Sequence, residues 1–480
     1  MKKTKIVCTI GPACEDQKTL EQMIKSGMNV ARLNFSHGTH EHHLKLIKNI
    51  RAVSTKLKKP IAIIQDLQGP RMRVGLLSDK GVDLVKDETV ILMPQSKITK
   101  KLLSSTKKLV ISIQYSGLAK AVKKGNRILI NDGLLELTVL RSVGLAVHAK
   151  VSKGGILHSH KGINIPGVRV NMPVITKKDK DDLKFGVKNK VDFVAISFVE
   201  SGKNIIELKK LINIGKVKSD IQVISKIERR SAIKNFASII EETDVIMVAR
   251  GDLGVELPPE EVPMLQKEMV ERCIRAAKPV IVATQMLDSM ISNPRPTRAE
   301  ASDVANAVVD HADAVMLSGE TAFGKYPVET VNMMSRIIKE TEKSAYDDLP
   351  HGYLADHYRG IYHAITNGTH EISKHLHSKV IVTGTMSGKT ARFLSRHRPD
   401  NAIIVALSPK DIVVRQLVLS WGVFPFQTNN VTALSNMIKD TEKILKENKF
   451  AKKGDRIVLT TGHPVGREIE TNLIEVRVIK

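Results

Sequence analysis

The chain has 480 residues, too many for one ordinary core, and its 42% hydrophobic content is enough to fill two to four. Lys plus Arg number 75 against 50 for Asp plus Glu, a formal charge of +25 that suits anionic partners. The lysines are spread as pairs such as Lys58-Lys59 and Lys123-Lys124, and only 4% of residues are aromatic, so a base-stacking platform for nucleic acid is not expected.

Cys8, Cys14 and Cys273 lack CxxC spacing and provide neither a disulfide framework nor a zinc site; a reducing, cytoplasmic setting is expected. The opening MKKTKIVCTIG carries too short an apolar run to act as a signal peptide, and no stretch approaches the length of a membrane span.

In chain order, short runs rich in Val and Ile recur, each ending in small or polar residues. KIVCTIGPA begins at Lys5 and is followed by an amphipathic stretch, KTLEQMIKSG, that reads as a helix stopped by Gly27. NVARLNFSHG begins at Asn29 and IAIIQDL at Ile61. The sequence then changes character: GNRILINDGLLELTVL and the stretch after it alternate and carry Gly turns, reading as an antiparallel β domain inserted over residues 75–165. The earlier pattern resumes with DFVAISFV from Asp192, IQVISKIE from Ile221, DVIMVARGDLG from Asp244, PVIVATQML from Pro279 and DAVMLSGET from Asp313. Continuous apolar runs suit parallel strands buried on both faces, and eight of them, each followed by about one helix of charged sequence, predict a (β/α)8 barrel over 1–74 and 166–344. KVIVTGT, AIIVALS, DRIVLTTG and LIEVRVIK predict a separate α/β domain over 345–480.

Active sites of such barrels lie at the carboxyl ends of the strands. The polar residues there are Arg32, Asn34 and Ser36 on strand two, and Asp66, then Arg71 and Arg73, after strand three. Strand five ends in Lys226 and Glu228, strand six in Arg250 and Asp252, strand seven in Thr284 and strand eight in Ser318 and Glu320. Cations dominate, with two well-placed carboxylates, Glu228 and Asp252. Two carboxylates plus substrate oxygens commonly hold Mg²⁺, and arginines with a lysine suit a phosphoryl group beside a carboxylate. The residues therefore point to metal-assisted chemistry on a small phosphorylated acid. The competing reading is a mere rim salt bridge between Glu228 and Lys226.

MNVARLNFSHG, ISKIE, VARGDLGVE, ATQMLDSM, KGINIPG and NPRPTRAEASDVANAVVDHADAVMLSGETAFGKYP closely resemble the pyruvate kinase family, and the likeness covers the whole chain. The resemblance implies transfer of a phosphoryl group from phosphoenolpyruvate to ADP, the final step of glycolysis, with Mg²⁺ or Mn²⁺ on Glu228 and Asp252. It implies that Lys226 neutralises the moving phosphoryl group, and that Arg32 and Arg73 clamp phosphates. Gly251 and Asp252 would receive the substrate carboxylate, and Thr284, with Ser318 and Glu320 behind it, would help protonate the methylene carbon. His37 and Lys161, with Arg32, Asn34 and Arg73, would face the nucleotide. The inserted domain would close as a lid, and the assembly would be a homotetramer.

Three features depart from the family or mimic other sites. Asn34, Ser36, Asp66 and Leu67 stand where family members bind K⁺, but Arg71 replaces their usual Glu and would supply that positive charge, so K⁺ is not expected to be required. TGTMSGKT, from Thr383, misses the Walker A spacing by one residue. In the family it binds a phosphorylated sugar or nucleotide effector, through Thr385, Ser387, Gly388, Lys389 and Thr390, although TTGHPVGREIETN lacks the expected glycine-rich loop and leaves the effector open. HGTHEHH lacks the HExxH spacing and reads as solvated helix surface. The rival functions are another barrel enzyme acting on phosphoenolpyruvate or pyruvate, which would not need Lys226 and a lid, and a regulatory protein that has kept the fold.

Overall fold

The computed structural model describes residues 1–99, 106–168, 171–214, 219–349, 354, 360–428, 434–463 and 469–480. Eight parallel strands close into a barrel: Lys5–Thr9, Val30–Asn34, Ala62–Asp66, Phe193–Ile196, Gln222–Ile227, Val245–Ala249, Val280–Ala283 and Ala314–Leu317, with the last paired to the first. Successive side chains alternate between the barrel lumen and the outer helices. Val7, Val30, Ile64, Phe193, Ile224, Met247 and Met316 form the inner cluster, whereas Ile6, Leu33, Ile63, Val194, Val223 and Val248 pack outward under the helices. Both sets are buried, which is why these strands are apolar at every position.

One residue before every second strand, a short polar side chain accepts a hydrogen bond from the start of the strand preceding it. Asn29 takes the N–H of Ile6 (3.0 Å), Asp192 that of Ile63 (2.7 Å), Asp244 that of Val223 (2.9 Å) and Asp313 that of Val280 (3.1 Å). These N–H groups lie at the barrel floor, opposite the carboxyl ends of the strands, and would otherwise be buried donors without partners.

The inserted domain is a seven-stranded sheet plus a two-stranded pair. The sheet already begins at Met72–Arg73, which pairs with Gly162–Asn164, and a bridge from Val74 to Ile113 joins its first edge to its last. Leu92, Ile111, Ile128, Leu137 and Val147 fill its core. The C-terminal domain is a five-stranded sheet ordered Val423–Gln427, Ile403–Ser408, Val380–Gly384, Arg456–Thr461 and Leu473–Val478, with only the last pair antiparallel. The strand Val423–Gln427 escapes the sequence reading because Pro425 argues against a strand; it is tolerated at a sheet edge, where its missing N–H breaks no inner ladder. Val418 and Leu419, just before this strand, enter the inner barrel cluster from below. The C-terminal domain thus plugs the barrel floor.

Candidate active site

Parity carries the chemistry to the rim. Arg32, Asp66 and Lys226 continue the inward-facing series of Val30, Ile64 and Ile224, so their side chains end the same column that fills the lumen. Arg32 Nε and Nη2 each lie 2.7 Å from Asp66 Oδ2, and Arg32 Nη1 donates to Thr9 Oγ1 at 2.9 Å. Lys226 Nζ lies 2.8 Å from Glu228 Oε1 and 3.4 Å from Asp66 Oδ1, and donates to Ser197 Oγ at 2.8 Å. Burial alone would lower the Lys226 pKa, but Asp66, Glu228 and Asp252 outweigh it and hold the ammonium protonated. Burial would likewise raise Asp66, yet Lys226 and Arg32 keep its carboxyl below the usual range.

Glu228 is 1% exposed. Its Oε2 accepts the Phe198 N–H at 2.7 Å, while Oε1 meets the Lys226 ammonium as an ion pair without hydrogen-bond alignment. Burial pushes the Glu228 carboxyl up, Lys226 opposes this and Asp252 adds to it. A buried carboxylate oxygen short of an aligned donor, with a second carboxylate near enough to repel it, is a donor set that fits a hard divalent cation. Among the described residues no group of three or more His, Cys, Asp or Glu gathers for a metal, so further ligands would come from substrate or water.

Arg71 turns into the site: Nη2 lies 3.1 Å from Asp252 Oδ1, and the guanidinium carbon sits 6.0 Å from the Phe198 ring centre. Arg73 and Lys161, from the inserted domain, and His37 line the same cavity as Arg71, Glu228 and Asp252. That cavity, about 630 Å³, lies between the barrel rim and the inserted domain. Burial and the neighbouring Arg73, Arg71 and Arg32 lower the His37 pKa, favouring its neutral form.

Thr284 is held at φ +72°, unusual for a β-branched residue. Its hydroxyl donates to Ala283 O (2.6 Å) and accepts the Gly251 N–H (2.7 Å), at the first turn of the helix Arg250–Glu256. Glu320 is buried and is not part of that cavity's lining; it accepts the N–H of Ser318 (2.7 Å) and of Leu287 (3.2 Å), tying the loop after Thr284 to the eighth strand. Arg250 donates to Thr284 O at 2.8 Å and binds Asp303 through Nη1 and Nη2, at 2.6 and 2.7 Å.

Around the K⁺ position of the family, Asn34 Oδ1 accepts the Ser36 N–H (3.1 Å) and the Leu67 carbonyl accepts the Ser197 hydroxyl (2.8 Å). Far from the rim, Thr385 Oγ1 accepts the Gly388 N–H (2.9 Å) beside Ser387, Thr390 bonds Tyr362 and Thr471, and Lys389 Nζ lies 4.6 Å from the Tyr362 ring centre. Residues 464–468, within the stretch TTGHPVGREIETN, lie outside the described residues. The cluster HGTHEHH starts the helix His40–Leu57, capped by Thr39, with His40 on Asp182 and His42 on Glu15.

Sequence reasoning missed Ser197 and Phe198. Ser197 shares the inward parity of Phe193 and Ala195 and was legible on that ground. Phe198, at φ +57°, was not. Arg229, next to Glu228, also lines the cavity, lies 4.8 Å from the Phe198 ring centre and pairs with Glu200 at 3.1 Å.

An ammonium among three carboxylates, arginines aimed into one cavity and a covering β domain define a barrel phosphotransferase. Residues 1–331 match the model described as pyruvate kinase, barrel domain, and residues 363–477 that described as pyruvate kinase, alpha/beta domain. The chain is 40% identical over 481 residues to a pyruvate kinase of Clostridium acetobutylicum, with both chains covered in full. It is 44% identical over 486 residues to that of Bacillus licheniformis, covering all of this chain and 81% of the relative. A crystal structure of a pyruvate kinase from Cryptosporidium parvum superposes with a TM-score of 0.92 at 37% identity, covering 100% of this chain and 96% of the other. The chain belongs to the pyruvate kinase family. No helix among the described residues is long and apolar enough to cross a membrane.

Proposed function

We propose that this pyruvate kinase moves the phosphoryl group of phosphoenolpyruvate to ADP without needing K⁺. The observation that carries the K⁺ reading is Arg71, whose guanidinium, partly exposed on the cavity wall, pairs with Asp252 at 3.1 Å. Asn34 Oδ1 and the Leu67 carbonyl already have donors within the chain, and Asp66 already faces Arg32 and Lys226. K⁺ would meet repulsion from Arg71 with few free ligands to offset it, whereas a divalent cation would have the carboxylates of Glu228 and Asp252.

Lys226 neutralises charge on the phosphoryl group in flight, while Arg32 and Arg73 orient it. Mg²⁺ or Mn²⁺ on Glu228 and Asp252 would polarise the substrate oxygens and offset their charge. A substrate carboxylate arriving at Gly251 takes the N–H that Thr284 now occupies and frees the Thr284 hydroxyl. Thr284 then helps relay a proton to the methylene carbon of the enolate, with Ser318 and Glu320 fixing its loop. His37 and Lys161 meet the nucleotide, and the inserted domain closes over both substrates to exclude water. Thr385, Ser387, Gly388, Lys389 and Thr390 would receive a phosphorylated sugar or nucleotide effector, and the family resemblance supports a homotetramer.

The test compares ATP formation in KCl and in tetramethylammonium chloride at equal ionic strength and fixed Mg²⁺. Wild type should run equally in both, and Arg71→Glu should acquire a K⁺ requirement. A large stimulation of the wild-type enzyme by K⁺ contradicts the reading.

A further inference from the structure

The inserted domain departs from the barrel through the segment from Leu67 to Arg71 and returns to it at Thr176, where the helix Lys177–Lys188 begins. Both connections end on one carboxylate. Asp179 is 1% exposed. Its Oδ2 accepts the Thr176 N–H at 2.8 Å and the Thr176 hydroxyl at 2.6 Å, and its Oδ1 accepts the Gly69 N–H at 3.1 Å, 110 residues away in sequence.

With Thr176 as N-cap and Asp179 at the third helical position, the first contact is a capping box. Such a box commonly uses Glu or Gln, whose reach is spent on the cap alone. The shorter Asp fills the cap with one oxygen and leaves the other for Gly69. Gly69 needs its missing side chain: it lies at φ +67°, and a Cβ there would come within 3.0 Å of Ser197 Cβ and Phe198 Cδ2. The Arg71 N–H donates back to Gly69 O at 3.0 Å, and Met72–Arg73 is the edge strand of the inserted sheet. The same segment is held at its start by Ser197 Oγ on Leu67 O, with Ser197 in turn bonded to Lys226. Leu67 to Arg71 is therefore fixed at its start from Lys226 through Ser197 and at its middle from Asp179.

We propose that Asp179 is a positioning residue for phosphoryl transfer, clasping the two connections of the inserted domain so that Arg71 and Arg73 enter the cavity from a fixed hinge. Asp179 lines no part of the cavity and acts through Gly69. The proposal rests on the cavity as the place of transfer.

Asp179→Glu separates the clasp from the cap. Glutamate at this position suits a capping box, but its extra methylene carries the carboxylate away from Gly69. The full-length variant should melt within a few degrees of wild type. Hydrogen exchange at the Gly69 and Arg71 amides should quicken about tenfold or more. Turnover should fall about tenfold, with KM for ADP rising more than KM for phosphoenolpyruvate, because misplacement of about 1 Å already costs large factors in rate. Asp179→Asn, which sets an amide against backbone donors, should show the same exchange and kinetic signature more strongly. Wild-type exchange at Gly69 in Asp179→Glu would reduce Asp179 to a helix cap and overturn the proposal. Faster exchange with turnover within about twofold of wild type would overturn it as well, since the clasp would then position nothing. Lys226→Met, assayed alongside, reports on the site itself: full activity there faults the site and not the clasp.

Discussion

At the scale of single residues, Thr284, proposed to relay the proton, is held in an unusual backbone conformation. A β-branched residue at φ +72° is strained by about 1–3 kcal/mol, and two hydrogen bonds of its hydroxyl help to hold it there. Thr284→Val removes the hydroxyl while keeping shape. Protonation of the enolate should slow by about 10²–10⁴-fold, whereas Thr284→Ser should retain most of it. Loss of solvent-proton incorporation into pyruvate, with phosphoryl transfer less affected, is the readout; equal losses in both steps would place Thr284 elsewhere in the reaction. The inward parity of Arg32, Asp66 and Lys226 was legible from strand periodicity, because a period of two fixes which side chains share a face. The hydrogen bond from the Phe198 N–H to Glu228 was not, since it depends on a positive φ that no side-chain pattern announces in a bulky residue.

At the scale of elements, close approach sets the limits. The helix Lys177–Lys188 lies so near the third strand that a Cβ at Gly186 would overlap Gln65 Oε1, while Gln65 Nε2 donates to Asp182 O at 2.6 Å. Gly186→Ala should therefore cost about 1–3 kcal/mol, an overpacking penalty at a buried site next to Asp66, measurable as a lowered denaturant midpoint with unchanged slope. The barrel strands were readable because burial on both faces makes each a continuous apolar run. The helix-side glycine was not, because nothing local marks which glycines meet a neighbour across the chain. The four polar residues before alternate barrel strands were present in the sequence as recurrent Asp and Asn. Their role became visible only once strand pairing put each beside a partner strand's first N–H.

At the scale of the whole molecule, the C-terminal domain is locked to the barrel floor. Arg415 Nε binds Asp192 Oδ1 at 2.6 Å, Arg398 Nη2 binds Asp313 Oδ2 at 2.9 Å, and Leu419 is fully buried in the inner barrel cluster. Leu419→Ala should cost about 2–5 kcal/mol, and its unfolding should show both domains loosening together. The junction also titrates. Burial, reinforced by Glu342, raises the Asp347 carboxyl to about 7, and His311 Nδ1 lies 3.8 Å away. A raised carboxyl means the folded state binds a proton that the unfolded chain has lost, so stability falls as pH climbs from about 4 to about 7. Asp347→Asn abolishes this titration. Its advantage over wild type should grow across that window and reach at most about 4 kcal/mol by pH 8, read as a widening Tm difference. Burial drives His311 the other way, to about 4, and costs stability as pH falls below the unfolded value, but it does so in both proteins. An effector reaching the C-terminal domain would act through this joint. Thr385→Ala with Lys389→Ala should leave basal activity near normal and remove activation by phosphorylated sugars or nucleotides, a coupling typically worth about 1–3 kcal/mol.

The central claim is that Lys226, set among Asp66, Glu228 and Asp252, carries the phosphoryl transfer. ATP formation from phosphoenolpyruvate and ADP, with saturating Mg²⁺, measures it directly in wild type and in Lys226→Met. The wild-type protein should turn over. The variant, folded and with nearly unchanged affinity for phosphoenolpyruvate, should lose about 10²–10³-fold or more in turnover. A variant retaining more than about a tenth of the wild-type rate would contradict the account, because the charge removed is needed chiefly in the transition state.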